Sequence, residues 1–453
     1  MMIHKFSIDE INIVMDINSG SIHIVDNIVY EIIDFFKDMS ENELITKFST
    51  KFDSNEIISA INEIKNLEKD EMIFYEDDYE IILPKLVNRN PLVKALCLHI
   101  AHDCNLKCKY CFAEEGEYNG ARSLMSFDVG KNAIDFLIKN SGARKNLEID
   151  FFGGEPLMNF EVIKKIVEYG REQEKIYNKN FRFTITTNGI LLDDEKIDYI
   201  NKNMYNVVLS LDGRKEINDN MRPKVGGQGS YDIIVPKFKK LVEKRKGKNY
   251  YVRGTFTKNN IDFSNDVLHL ADLGFEHISI EPVVAEDEMS YSITKKDISK
   301  VYDEYEKLAR IIYERKINNN GFNFFHFNID LDGGPCVFKR LSGCGSGSEY
   351  LAVTPEGDLY PCHQFVGKDE FKMGTVYEGI QDKNRFKEFS NCNVYSKPEC
   401  RNCWAKFYCS GGCAANAYEY GGNILSNYNI GCELQKKRIE CAIFIKAKEA
   451  LSK

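Results

Sequence analysis

Three cysteines, Cys104, Cys108 and Cys111, stand in the segment Ala101-His-Asp-Cys-Asn-Leu-Lys-Cys-Lys-Tyr-Cys-Phe112. This CxxxCxxC spacing constrains the chain more than any other feature. A [4Fe–4S] cube takes four ligands, usually thiolates. Three from one short loop leave one iron with a position open to a small molecule, and that turns an electron carrier into a chemical site. The residues just before, Val93-Lys-Ala-Leu-Cys-Leu-His-Ile100, read as a strand, so the loop sits at a strand's C-terminal end. In α/β barrels that end carries the chemistry. The competing reading is zinc, which favours four ligands in paired hooks, and no fourth ligand lies nearby in the sequence.

The chain has 453 residues, enough for two to four domains around a large core. No stretch approaches the roughly 18 uninterrupted apolar residues of a membrane span. The N-terminus lacks a basic region followed by an apolar one, so no secretion signal is expected. Fourteen cysteines without an export signal point to metal or redox chemistry rather than disulfides, in a reducing, cytoplasmic setting. The net charge of −9 is uneven: residues 1–80 hold nineteen Asp and Glu against six Lys, a balance of −13.

Residues 1–84 read as a separate unit. Ile11 to Val25 predicts two short strands joined at Asn18-Ser19-Gly20. Three helices follow: one over Val29–Phe36, and two opened by the capping boxes Ser40-Glu-Asn-Glu43 and Asp53-Ser-Asn-Glu56. Met72–Tyr75 and Tyr79–Leu83 predict a strand pair, which would complete a winged-helix-like shape. Such shapes usually bind DNA, but a balance of −13 opposes phosphate contacts. Neither nucleic acid nor a membrane is therefore expected as a partner. Pro84 to Pro91 reads as a linker. Six strands then alternate with helices: Leu96–Ile100, Leu147–Phe152, Phe181–Thr186, Asn206–Leu211, Tyr250–Thr257 and His277–Pro282. This predicts an α/β fold of parallel βα units over residues 92–310. From residue 325 to 453 the character changes to a glycine- and cysteine-rich region; ten of the fourteen cysteines lie beyond residue 330.

The three-cysteine loop resembles the signature of the radical S-adenosylmethionine (SAM) enzymes, with Tyr110 at the aromatic position before the third cysteine. The resemblance implies an open, partial (β/α)6 barrel of TIM type. It also implies a cluster on Cys104, Cys108 and Cys111 that binds SAM and, once reduced, cleaves it to a 5′-deoxyadenosyl radical. Gly153-Gly154-Glu155-Pro156 after the second strand is similar to the family motif that receives SAM's ammonium group. By the same resemblance Thr186 and Asn188 (third strand), Ser210 and Asp212 (fourth) and Arg253 (fifth) are expected at SAM, with Arg253 gripping its carboxylate.

Cys400-Arg-Asn-Cys403, Cys409 and Cys413 form a Cx2Cx5Cx3C run, followed by Cys432; upstream, Cys344 precedes the Gly-x4-Cys unit Gly357 to Cys362. These seven positions resemble the SPASM domain of peptide- and protein-modifying radical SAM enzymes. The resemblance implies two auxiliary [4Fe–4S] clusters, one on Cys400, Cys403, Cys409 and Cys432 and the other on Cys344, Cys362 and Cys413. With the SAM cluster that makes three. The inner set lacks the extra cysteine of sulfatase maturases, so it has either an open iron or a further ligand such as Cys336 or Cys392. Those maturases also carry an Asp base where this chain has His363. Cys97 and Cys441 read as ordinary buried cysteines.

The whole arrangement resembles the maturases that form thioether bridges in ribosomally made peptides, in particular those acting on peptides with six cysteines in forty-five residues. That implies a cysteine-rich precursor whose leader docks on residues 1–84, and an electron donor such as a flavodoxin or ferredoxin. Two other readings stand beside it: a SPASM-type dehydrogenase that oxidises Cys or Ser to formylglycine, and a non-catalytic iron–sulfur electron carrier.

Overall fold

The computed structural model describes residues 2–87, 92–118, 120–331 and 337–452. The chain opens with an antiparallel sheet of β1 (Ile3–Ile8), β2 (Ile11–Asp16) and β3 (Ile22–Val25), with β2 in the centre. The β2–β3 turn forms where expected. The buried Asp16 carboxylate accepts from the amides of Asn18 at 3.0 Å and Ser19 at 2.8 Å, and Gly20 takes a φ of +77°. Helices α1 (Asn27–Ile32), α2 (Glu41–Phe48) and α3 (Ser54–Lys69) follow, the last two opened by both capping boxes. Their apolar faces close on Val14, Val29, Leu44, Ile57 and Ile61, a core separate from that of the barrel.

Three features depart from the sequence expectations. β1 adds a third strand, Met72–Tyr75 is not a strand, and Tyr79–Leu83 lies in a helix, α4 (Tyr79–Val87). The sheet therefore precedes the helices, and no strand pair completes a wing. Tyr79 and Leu83, one helical turn apart, both pack against the main core, and that tertiary contact decides helix over strand. Pro84 lies inside α4 rather than in a linker, while 88–91 fall outside the described residues.

The six expected barrel strands are present as β4 (Ala95–His102), β5 (Asn146–Gly153), β6 (Asn180–Thr187), β7 (Asn206–Ser210), β8 (Tyr251–Phe256) and β9 (His277–Pro282). They pair in chain order, all parallel. In β6 Phe181, Phe183, Ile185 and Thr187 are buried while the alternate residues are less so, the period-two pattern of a pleated strand. The sheet continues past both barrel edges. β10 (Asn323–Phe324) joins β9, and β11 (Tyr350–Val353), from the cysteine-rich region, pairs parallel with β4. The C-terminal region is thus built onto the barrel sheet. Its last helix, Asn429–Leu451, packs along the helix Ile298–Ile317, where Arg438 Nε donates to the Tyr305 hydroxyl at 2.8 Å. Among the described residues no helix is long and apolar enough to cross a membrane.

The N-terminal unit is fastened to the cysteine-rich region by polar and stacking contacts. Asp77 accepts from Tyr395 Oη at 2.6 Å and from Lys406 Nζ at 2.6 Å. Glu80 pairs with Arg401, and the His4 ring stacks on Trp404 at 3.7 Å between centroids. Lys406 is buried, so Asp77→Asn would leave its ammonium without a counter-charge, at a cost of about 3 kcal/mol. The expected outcome is a lower unfolding midpoint with faster amide exchange across residues 72–87, measured by denaturant titration and hydrogen–deuterium exchange.

Candidate functional site

The three-cysteine loop leaves the end of β4 and is held by backbone bonds to the segment after β7: Lys107 N to Pro223 O at 2.8 Å and Lys109 N to Met221 O at 3.0 Å. Cys104, Cys108 and Cys111 line one cavity, together with Gly153, Gly154 and Ser210. Thr186, Asn188 and Tyr110 also belong to its wall. Cys104 Sγ accepts from Leu106 N at 3.5 Å and from Asn188 Nδ2 at 3.7 Å. Burial pushes the Cys104 thiol up to about 12 and the Cys108 thiol up to about 11. Left alone these thiols stay protonated at neutral pH; bound iron supplies the positive charge that would deprotonate them. The donor set therefore fits an iron–sulfur cluster.

The Gly153–Glu155 turn lies against the start of this loop. Gly154 N donates to Ala101 O at 2.8 Å and Glu155 N to Asp103 O at 2.9 Å. A Cβ on Gly154 would stand 2.1 Å from Asp103 O, and Gly153, at φ +117°, would place one 2.3 Å from Ala101 O. Glu155 is fully buried and its carboxylate is already engaged. It accepts from Leu157 N at 3.0 Å, Thr187 Oγ1 at 2.8 Å and Asn188 N at 2.8 Å. Burial raises it to about 7 against these bonds. Glu155 thus ties the ends of β5 and β6 together.

Two further cavities take in most of the C-terminal thiols; Cys362 lines neither, and Cys413 lines a third together with Cys409 and Cys432. Cys400, Cys403, Cys409 and Cys432 all line one of them. Cys344 and Cys392 line the other, whose wall also includes Gly412 and Ala414 on either side of Cys413. Cys362 is buried, whereas Cys344 and Cys413 are exposed. Of the thiols weighed as a further ligand of the inner set, Cys392 stands beside Cys344, and Cys336 lies outside the described residues. Among the described residues no three metal-binding side chains converge on a point as a single ion would require.

The Radical SAM superfamily description matches residues 98–263, and the SPASM iron–sulfur cluster-binding domain matches residues 344–404. The chain carries a radical SAM domain followed by a SPASM domain. It is similar to the radical SAM cyclopropyl synthase TigE of Paramaledivibacter caminithermalis, at 25% identity over 92% of this chain and 89% of the relative. A cysteine-type anaerobic sulfatase-maturating enzyme of Clostridium perfringens is 26% identical over 71% of this chain and 89% of its own length. In fold it resembles the structure of anSMEcpe with bound AdoMet, at a TM-score of 0.68 and 23% identity over 80% of this chain and 96% of that one. The Streptococcus suis SuiB structure with precursor peptide SuiA gives a TM-score of 0.52 at 15% identity, covering 92% of this chain and 95% of that one.

In the radical SAM domain the wall behind the cluster loop is polar and buried. Tyr110 Oη donates to both Asp212 carboxylate oxygens, at 2.8 and 2.7 Å, and Arg222 Nη1 donates to Tyr110 Oη at 2.8 Å. Asp212 also accepts from Thr255 N at 3.1 Å and is fully buried. It is therefore part of the frame behind Tyr110 and is not in the cavity wall. Nor is Arg253, which is 55% exposed on β8 and pairs with Glu281 at 3.2 Å. Arg222, which the sequence reading passed over, does line the cavity. Burial alone would lower its pKa, but the negative potential of Cys108, Tyr110 and Asp212 holds the guanidinium charged, well above its ordinary value. The available signal was an arginine directly before Pro223, at the end of the short helix Lys215–Met221.

His363 lies between the SAM cavity and the SPASM domain, its ring 5.0 Å from Phe152 and 5.5 Å from Phe112. Burial pushes it down to about 4, so it is a neutral imidazole; its Nδ1 is 3.4 Å from the Tyr350 hydroxyl. Cys97 and Cys441 are buried, as expected.

Gly154→Ala is expected to displace the cluster loop, with SAM binding lost in calorimetry and less iron retained per chain. Asp150, in β5, is raised from 3.8 to about 7 by burial. Between those values the folded state holds a proton that the unfolded state releases, so this group lowers stability as pH rises from about 4 to about 7. Asp150→Asn should remove that slope: thermal midpoints of variant and parent agree near pH 4 and separate in the variant's favour above pH 7.

Proposed function

We propose that this chain is a peptide maturase that joins a cysteine sulfur to a carbon of another residue in a cysteine-rich precursor, forming an intramolecular thioether. The observation that carries this reading is the N-terminal unit. β3 presents an edge with no strand partner among the described residues, and the unit is pinned to the SPASM domain through Asp77, Lys406 and Trp404. An extended leader can add to that edge as a fourth strand. The unit's balance of −13 favours a leader carrying lysine or arginine.

Cys104, Cys108 and Cys111 hold the SAM cluster, with SAM against Gly153, Gly154, Ser210 and Arg222. Cys400, Cys403, Cys409 and Cys432 hold the outer auxiliary cluster, and Cys344, Cys362 and Cys413 the inner one. When loaded and reduced by a flavodoxin or ferredoxin, this set supplies a 5′-deoxyadenosyl radical and an electron sink. The proton released by the substrate thiol passes to solvent, since burial leaves His363 too weak a base to take it. The peptide then loses two hydrogens: one as an atom from the acceptor carbon, and one as the thiol proton with an electron passed to the auxiliary side.

The resemblance to TigE over 92% of this chain favours a second reading, carbon–carbon ring closure within one side chain. Both reactions remove two hydrogens, so mass alone does not separate them. Alkylation does: a thioether consumes one thiol per bridge and ring closure consumes none. Formylglycine formation from Cys instead removes two hydrogens and also replaces the sulfur by oxygen. Anaerobic reaction with SAM, reductant and a cysteine-rich peptide encoded beside the gene, followed by alkylation and tandem mass spectrometry, is expected to give a loss of two mass units and one fewer alkylatable thiol. An unchanged thiol count would replace the thioether by the ring.

Ile24, 40% exposed on β3, tests the docking edge. Ile24→Pro removes strand hydrogen bonds worth about 1 kcal/mol each. Leader affinity is expected to fall about ten-fold by fluorescence anisotropy, with peptide-independent SAM cleavage unchanged.

A further inference from the structure

Two other buried lysines of the C-terminal region have carboxylate partners: Lys406 has Asp77 at 2.6 Å, and Lys437 has Glu306 at 2.6 Å. Lys397 is different. It is 2% exposed, and its Nζ donates only to carbonyls, Gly411 O at 2.8 Å and Ser426 O at 3.4 Å. Among the described residues no carboxylate pairs with it. A buried ammonium without counter-charge costs several kcal/mol, so the fold requires a source of negative charge nearby.

The position of Lys397 identifies that source. It lines the cavity of Cys344 and Cys392, and it also lines the cavity that Cys409, Cys413 and Cys432 share. It directly precedes the short helix Pro398–Arg401 that carries Cys400, and its bond to Gly411 holds the loop between Cys409 and Cys413. A cluster on four thiolates is anionic and gains one further negative charge on reduction by one electron.

We propose that Lys397 is the counter-charge shared by the two auxiliary clusters, holding both reduction potentials up. This rests on the reading that both clusters are present in the SPASM domain. Lys397 acts on the clusters through space and is a positioning residue, not a ligand.

The test is an EPR-monitored redox titration of the anaerobically reconstituted full-length enzyme, preceded by iron and sulfide counts. Lys397→Met and Lys397→Gln should move both auxiliary midpoint potentials to more negative values and leave the SAM-cluster potential in place. Lys397→Arg should restore the parent values. Lys436 is 31% exposed, and its charge reaches Cys403 and Cys432 of the outer set alone. Lys436→Met should therefore move the outer potential only, and less. Unchanged auxiliary potentials in both neutral variants, or a shift confined to one cluster, would overturn the proposal. Loss of auxiliary iron in both neutral variants with normal loading of Lys397→Arg supports it, because the charge is then needed for assembly. Loss in Lys397→Arg as well overturns it in favour of a packing role. A parent enzyme whose counts reveal a single auxiliary cluster would instead refute the two-cluster reading.

Discussion

The close approach of two loops at the top of the barrel is the constraint on which the site depends. The cluster loop after β4 and the Gly153–Glu155 turn after β5 bond backbone to backbone, at 2.8 and 2.9 Å, with no room for a Cβ on either glycine. Glu155 carries the constraint one strand further, because its carboxylate fixes Thr187 and the backbone of Asn188. The Asn188 side chain in turn reaches Cys104 Sγ at 3.7 Å and Asn105 Oδ1 at 2.8 Å. Three strand ends are thereby locked around the thiols by short polar contacts, and the barrel beneath acts as a rigid mount. A site whose ligands come from one loop needs such support, since the loop has little apolar surface of its own.

Much of the fold was legible because local signals and tertiary demands agree. The six barrel strands are buried apolar runs between helical segments, and each forms within a residue or two of its expected bounds. Both capping boxes open helices because their reciprocal bonds are local, made by Ser40 with Glu43 and by Asp53 with Glu56. The thiol sets were legible for a similar reason. Their spacing is a covalent property of the chain, and the fold brings Cys400, Cys403, Cys409 and Cys432 to one cavity.

What was not legible depends on distant partners. Tyr79–Leu83 has β-like composition yet turns helical because Tyr79 packs on Phe407, 4.9 Å between ring centroids. Asp212 is expected at SAM from the sequence; in the fold its carboxylate accepts from Tyr110 Oη, which in turn accepts from Arg222, and Tyr110 and Arg222 lie more than a hundred residues from one another. Arg253 reads as a carboxylate clamp and instead meets Glu281 on the next strand, while Arg222 reaches the cavity from a helix end with no period to mark it. In each case the side chain's role follows from what a remote segment places opposite it.

Charge follows one rule at every thiol set. A buried group of thiolates is stable only with positive charge close by, and the metal supplies part of that. The chain carries a cation at each: Arg222 lines the cavity of Cys104, Cys108 and Cys111, Lys397 lines that of Cys344 and Cys392 and that of Cys409, Cys413 and Cys432, and Lys436 lines that of Cys400, Cys403, Cys409 and Cys432. The exposure of these cations is graded. Arg222 has a side chain 12% exposed and Lys397 is 2% exposed, whereas Lys436 reaches 31% and already shares its charge with Glu433. Solvent screens the last far more than the first two.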